Sequence, residues 1–297
     1  MYLTGFADEA ARDLAGQIAA TKELGWSNIE SRNIDGVNIH DLSDEAFDRA
    51  AAALDEAGVR VNCFGSAIAN WGKSIANDAD FEKDLEQVSR AIPRMKRLGT
   101  KMIRIMSWKV LEGRPPEDQM REKRWERLRQ IVGMFLDAGL QPLHENCMNY
   151  AGRGWSYTLD MLDNVPGLKL VFDTGNPVML PDWTKPEPWP RQSSWEFYDA
   201  VKEHVAYVHI KDGNWIDGGM HYTYAGEGQG DVKRIVADLV KRGYDGGISM
   251  EPHLAAIFHD PVTGQPDPVK MHDTYVEYGR RTMKLWADAV AACAPTA

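Results

Sequence analysis

The stretch AGLQPLHENC, Ala138 to Cys147, closes a helical pattern, turns on Gly139 and runs through a short strand at Gln141–His144 to end on an acid, Glu145. A glycine just past a helix adopts the left-handed conformation at least cost, so this joint marks where a helix stops and a strand begins. The same joint recurs as LGW at Leu24–Trp26, AGV at Ala57–Val59, LGT at Leu98–Thr100 and RGY at Arg242–Tyr244. Helix, glycine, strand, repeated, is how a chain builds parallel βα units.

Outward from that joint, apolar runs predict strands near Tyr2–Phe6, Asn28–Ser31, Arg60–Phe64, Met102–Met106, Gln141–His144, Lys169–Phe172, Ala206–Ile210 and Gly247–Met250. Amphipathic spacing predicts helices over Glu9–Leu24, Asp44–Ala57, Phe81–Leu98, Arg121–Ala138, Tyr157–Asn164, Trp195–Glu203, Val232–Arg242 and Asp273–Ala292. Eight units of each kind, with no linker between them, predict a single (β/α)₈ TIM-barrel domain over residues 1–297 with its active site at the C-terminal face of the strands. No GxGxxG follows the first strand, so a dinucleotide site has no support. Two long connections, Asn176–Gln192 and Asp212–Gly230, follow strands and would lie at the catalytic mouth.

A net charge of −10 opposes a polyanionic partner, which excess lysine and arginine would be needed to hold. Nucleic acid is therefore not the expected partner. Cys63, Cys147 and Cys293 are widely spaced and form no CxxC pair, as expected of reduced thiols. No apolar run reaches membrane-spanning length and the N-terminus has no basic-then-apolar leader, so no membrane is expected and the expected location is the cytoplasm. A homo-oligomer stays open.

The functional signal lies at four consecutive strand ends. PLHENC delivers Glu145, LVFDTGN delivers Asp173, YVHIKD delivers His209, and GISMEPH delivers Glu251 just before Pro252, which cannot donate to a sheet ladder. Each alone reads as an ion pair, a turn cap or a core histidine. Together, at the end of a barrel where active sites lie, they predict one metal site. Three carboxylates and one imidazole suit a hard divalent ion: Mn²⁺ or Mg²⁺, with Co²⁺ or Zn²⁺ as alternatives. Strand alternation places Lys211 beside His209, and His253 beside Glu251, one step further out, as candidate substrate contacts. Trp108, beyond the fourth strand, is a candidate flat face for a substrate to stack on. His144 and Glu227 read as structural groups.

At these residues, and through GFADEA, NIESRN and AGEGQGD, the chain resembles the xylose-isomerase-like TIM-barrel superfamily, which includes sugar phosphate isomerases and epimerases. The resemblance implies a divalent-metal enzyme, with Mn²⁺ the first candidate, in which Glu145 and Glu251 both ligate the metal and transfer protons while Asp173 and His209 ligate only. It implies a small carbohydrate substrate, enolised next to its carbonyl through an enediolate, with epimerisation, isomerisation or elimination to follow. The ketose epimerases carry a histidine three residues after the aspartate and an arginine six after the histidine; Asn176, a further candidate substrate contact, and Trp215 stand there instead. That departure keeps a lyase acting on an oxidised keto-sugar, glycoside or inosose as an alternative, with a non-catalytic sugar-binding barrel behind it. The glycines of GEGQGD come with two acids, which predicts a non-phosphorylated substrate.

Overall fold

The structure, a computed structural model, describes residues 1–255 and 267–293. Eight parallel strands form one sheet: β1 (Tyr2–Gly5), β2 (Asn28–Ser31), β3 (Arg60–Gly65), β4 (Met102–Ile105), β5 (Gln141–Glu145), β6 (Lys169–Asp173), β7 (Val205–Ile210) and β8 (Gly247–Met250). Their order is β1-β8-β7-β6-β5-β4-β3-β2, and a parallel bridge between Phe6 and Glu30 brings β2 back to the end of β1, so the sheet is a nearly closed barrel. The expected strands are all present, with ends shifted by at most one residue.

The helices that cover the barrel are α1 (Leu14–Glu23), α2 (Asp44–Ala57), α3 (Asp78–Leu98), α4 (Arg121–Asp137), α5 (Trp155–Asn164), α6 (Ser194–Val201), α7 (Val232–Lys241) and α8 (Pro268–Cys293). The five joint glycines, Gly25, Gly58, Gly99, Gly139 and Gly243, have φ between 66° and 74°. Nothing lies within 4 Å of where a Cβ would sit on any of them, so the backbone conformation, not space, calls for glycine.

One expectation needs correction, and one long connection carries structure of its own. The helix expected over Glu9–Leu24 is a 3₁₀ turn at Ala7–Glu9 followed by α1, whose N-cap Asp13 accepts a hydrogen bond from the Gly16 amide at 2.8 Å. Capping at Asp13 starts the helix late and frees Glu9 for the barrel mouth. The glycine-rich connection is not open loop but begins with a hairpin, Asp212–Ile216 against Gly219–Thr223, turning on Asp217 (φ 52°) and Gly218 (φ 82°). Positive φ at both central residues matches the twist of paired strands, and an Asp-Gly pair accepts it.

Inside the barrel, Cys63, Leu143, Val171 and Tyr207 form a separate apolar cluster. Alternation along β5, β6 and β7 then places Glu145, Asp173 and His209 on the same side of the sheet, one layer nearer the C-terminal edge. The polar mouth therefore rests on an apolar plug. Among the described residues, no helix is long and apolar enough to cross a membrane.

Candidate metal and substrate site

Glu145, Asp173, His209 and Glu251 are brought together: each offers a ligand atom, and those atoms all lie within 4.8 Å of one another. The sheet register makes this possible, since Asp173 pairs directly with His209 across β6 and β7, and His209 pairs with Ser249, two residues before Glu251. All four side chains are buried.

Each is held by its own neighbours. Glu145 Oε2 accepts from Arg104 Nη1 at 2.8 Å and Oε1 from Asn176 Nδ2 at 3.1 Å. Asp173 Oδ1 accepts from the amides of Gly175 (2.8 Å) and Asn176 (2.7 Å). Glu251 Oε1 accepts from Arg32 Nη1 and Oε2 from Lys211 Nζ, both at 2.8 Å. His209 points Nε2 at Glu30, 3.0 and 3.2 Å from its two oxygens, which fixes the ring and turns Nδ1 into the cluster.

Two atoms in the middle lack hydrogen bonds. His209 Nδ1 has none, lying 3.6 Å from Glu145 Oε1 and 4.0 Å from Asp173 Oδ2. Asp173 Oδ2 lies 3.1 Å from Lys211 Nζ but accepts no hydrogen bond. Buried polar atoms are mostly paired, so two atoms without hydrogen bonds facing one another among ligand-type groups could hold a divalent cation.

Charge points the same way. The buried carboxylates Asp8, Glu9, Glu30, Glu145, Asp173 and Glu251 outnumber the permanent cations Arg32, Arg104 and Lys211 around them. Asp173 is pushed up to about 6 by burial, with Glu251 and Glu145 adding to the effect and Lys211 opposing it. Burial works against the imidazolium of His209, but Glu30 and then Glu145 push it up to about 10. Burial would also raise Glu145, yet Arg104 and His209 bring it down to about 2. Glu251 is held well below the usual carboxylate range against its burial, by Lys211, His253 and Arg32.

A cavity of about 190 Å³ opens over the cluster, lined by Glu145, Asn176, Lys211, Glu251 and His253 among others. That is below the ~300–1,000 Å³ of pockets for drug-sized ligands. His253 stays at the mouth despite Pro252: its backbone sits at φ 52°, its amide and Nδ1 meet the Glu9 carboxylate at 2.7 and 3.0 Å, and its Nε2 lies 3.5 Å from Glu251. Glu9, Glu251 and His253 form a second close group, but the Arg32 guanidinium already bridges its two acids.

Trp108 is a correction. Its ring is fully buried, its Nε1 donates to Asp84 at 2.7 Å, and it is not among the residues lining the cavity. A backbone at φ 59° carries the indole inward against α3, and the half-buried Trp71 supplies the aromatic lining instead. His144 is buried on Ser107 Oγ at 3.1 Å, and Glu227 makes an exposed pair with Arg281, so both are structural.

The sequence reading missed Glu9, Glu30, Arg32, Arg104 and Trp71. Arg104 had a visible signal: in MIRI a cation sits between two isoleucines on the face that alternation turns inward. Glu30 and Arg32 share a face of NIESRN, but their partners lie more than two hundred residues away for Arg32–Glu251 and nearly as far for Glu30–His209.

The chain belongs to the xylose isomerase-like TIM barrel family, whose model matches residues 18–271. No curated protein matches it in sequence. Solved structures similar in fold include a xylose isomerase-like TIM barrel protein from Mycobacterium smegmatis in complex with magnesium, at 16% identity, 98% of this chain and 97% of that one, and a TM-score of 0.66. A D-tagatose 3-epimerase-like protein matches at 17% identity over 98% and 99% of the two chains with a TM-score of 0.72. The probable 3-DHS dehydratase AsbF from Bacillus anthracis matches at 15% over 95% and 99%, with a TM-score of 0.68. At identities this low the likeness shows a shared fold alone.

Proposed function

We propose that the chain is a divalent-metal-dependent isomerase or epimerase acting on a small, non-phosphorylated keto-sugar or related polyol through an enediolate. The observation that carries this reading is the convergence of Glu145, Asp173, His209 and Glu251, with His209 Nδ1 and Asp173 Oδ2 left without hydrogen bonds at its centre. The donor set suits Mn²⁺ first, then Mg²⁺, Co²⁺ or Zn²⁺. A bound ion would supply Lewis-acid polarisation of the substrate carbonyl.

The protein's own groups do the rest. Glu145 and Glu251 approach the cavity from β5 and β8 and would move the proton next to the carbonyl. Arg104 and Arg32 hold them ionised and aimed. Lys211, Asn176 and His253 line the same cavity and would orient the hydroxyls. With cations and acids already paired, the described residues of the site offer no spare cluster of positive charge for a phosphate. This reading takes residues 1–297 as one barrel domain working in the cytoplasm on a sugar, with neither nucleic acid nor membrane as partner.

A lyase is the second reading, favoured by Asn176: where the epimerases carry a histidine, its side chain is occupied with Glu145. Both readings share the enolising half-reaction. The test is metal loading followed by solvent deuterium incorporation from D₂O into D-tagatose, D-allulose and an inosose. We expect one metal per chain and exchange at the carbon beside the carbonyl, lost by roughly 10²-fold in Glu251→Gln, which keeps an oxygen for the metal but not the proton acceptor. Full metal loading with no exchange on any of these compounds would sink the enolisation reading. Comparable losses in Glu145→Gln and Glu251→Gln would favour epimerisation, which needs a base on each face; loss in only one would favour isomerisation or the lyase.

A further inference from the structure

The glycine-rich segment AGEGQG, residues 225–230, has the look of a phosphate cradle, yet the structure fills it from within. Asp212, fully buried at the start of the hairpin, accepts four backbone amides. Oδ1 takes Gly213 and Gly230, each at 2.9 Å; Oδ2 takes Gly226 at 2.8 Å and Gly228 at 3.0 Å. Alternating glycines are required for this wrap: a Cβ on Gly228 would stand 2.4 Å from Asp212 Oδ1, and one on Gly230 would stand 2.9 Å from both Asp212 Oδ1 and the Thr174 carbonyl. Converging backbone N–H groups of this kind form a nest for an anion. Here the anion is the protein's own carboxylate.

What the nest holds still is the mouth of the barrel. Asp212 follows Lys211 directly, and Lys211 is tied across to β6 through Thr174, whose Oγ1 donates to the Lys211 carbonyl at 2.6 Å and accepts from the Lys211 amide at 3.1 Å. Thr174 itself follows Asp173, and its carbonyl accepts from Ser194 Oγ at 2.7 Å. On the other side, the Gln229 amide donates to the Gly213 carbonyl at 2.8 Å, and the Trp215 amide donates to Gln229 Oε1 at 2.8 Å, pinning the base of the hairpin. The returning strand of that hairpin carries Tyr222, whose ring meets His253 edge-on at 5.0 Å.

We infer that Asp212 is a positioning residue: its carboxylate occupies the glycine nest, holds Lys211 at the cavity and the hairpin beside it, and closes this cradle to phosphate. The inference rests on the proposed site for its consequence in turnover, but the nest itself is tested without it. Amide hydrogen exchange on the full chain reads Gly226, Gly228 and Gly230 directly. In Asp212→Ala their protection should fall at least tenfold, formate at tens of millimolar should restore it, and inorganic phosphate should bind the variant and not the parent. Exchange on whichever ketose the parent turns over should fall at least tenfold and recover with formate, while metal content holds. Asp212→Asn, which keeps the volume and presents one acceptor oxygen in place of two, should show an intermediate loss and serves if the alanine variant does not fold.

Asp212→Ala with unchanged glycine protection, or a folded variant that formate does not restore, would overturn the inference. Phosphate binding to the parent at this loop would overturn it as well. If the parent exchanges no ketose at all, the proposed reaction fails while the glycine amides still decide the nest.

Discussion

Asp84 and Asp173 are both fully buried carboxylates, and they are satisfied in opposite ways. Asp84, on α3, has a donor on each oxygen: the Ala69 amide at 2.7 Å and Lys73 Nζ on one, and the Trp108 indole at 2.7 Å on the other. Asp173 has one oxygen filled by two amides and the other, beside Lys211, without a hydrogen bond, facing a His209 Nδ1 that also has none. Asp84 ties the loop after β3 to the loop after β4, where Ala69 and Trp108 both adopt positive φ and the Trp108 amide donates to the Ala69 carbonyl. An acid with a donor on each oxygen is scaffold; one with an oxygen left without a hydrogen bond among other ligand-type groups could take a further ligand.

The sharpest way to break that contrast is Asp84→Ala. It leaves the buried Trp108 and Ala69 N–H groups without their acceptor and takes the ion pair from Lys73, and losing one partner of a buried pair costs about 3–5 kcal/mol. Urea unfolding should show a loss of that order, with Mn²⁺ affinity changed by less than about twofold. A loss below about 1 kcal/mol would mean that Asp84 is no anchor.

The next effect belongs to the other acid. Mn²⁺ at about one hundred times its dissociation constant should stabilise the parent by ~2.7 kcal/mol after chelator treatment. Asp173→Asn and His209→Ala should largely abolish that gain at the same Mn²⁺ concentration, and Asp84→Ala should keep it. Undiminished stabilisation in His209→Ala would remove the imidazole from the ligand set.

Trp108→Phe is smaller again. It deletes one of the hydrogen bonds to Asp84 and should lower stability by roughly 1–2 kcal/mol without changing sugar affinity. Should sugar binding weaken tenfold with metal retained, the indole would belong to the cavity after all. The smallest effect is expected at Glu227→Ala, where an exposed pair with Arg281 is lost. Stability should move by no more than about 0.5 kcal/mol, and metal binding should not move at all.

Much of the molecule was legible because its signals are local. A glycine after each of five helices, apolar runs four to six residues long and helical spacing between them are properties of neighbouring residues, and the strand ends followed to within a residue. Glu145, Asp173, His209 and Glu251 were legible for the same reason: each lies within one residue of a strand's end, and parallel strands in a barrel all end at one rim. Trp108 was misread because position after a strand does not say which way a side chain turns, and a left-handed backbone at that residue turned it inward. The start of α1 shifted because a cap at Asp13 outweighed a continuous helical pattern.

What the sequence by itself determined is the barrel and the row of ligand-type side chains at its rim, since both depend on spacing along the chain. Only the tertiary structure decided what those side chains face. Arg32 reaches Glu251 across 219 positions, Glu30 fixes His209 across 179, and Asp212 gathers amides 14 to 18 residues away into one nest. Such pairings depend on barrel closure and register, which bring distant residues within hydrogen-bond range, and no local pattern carries that distance.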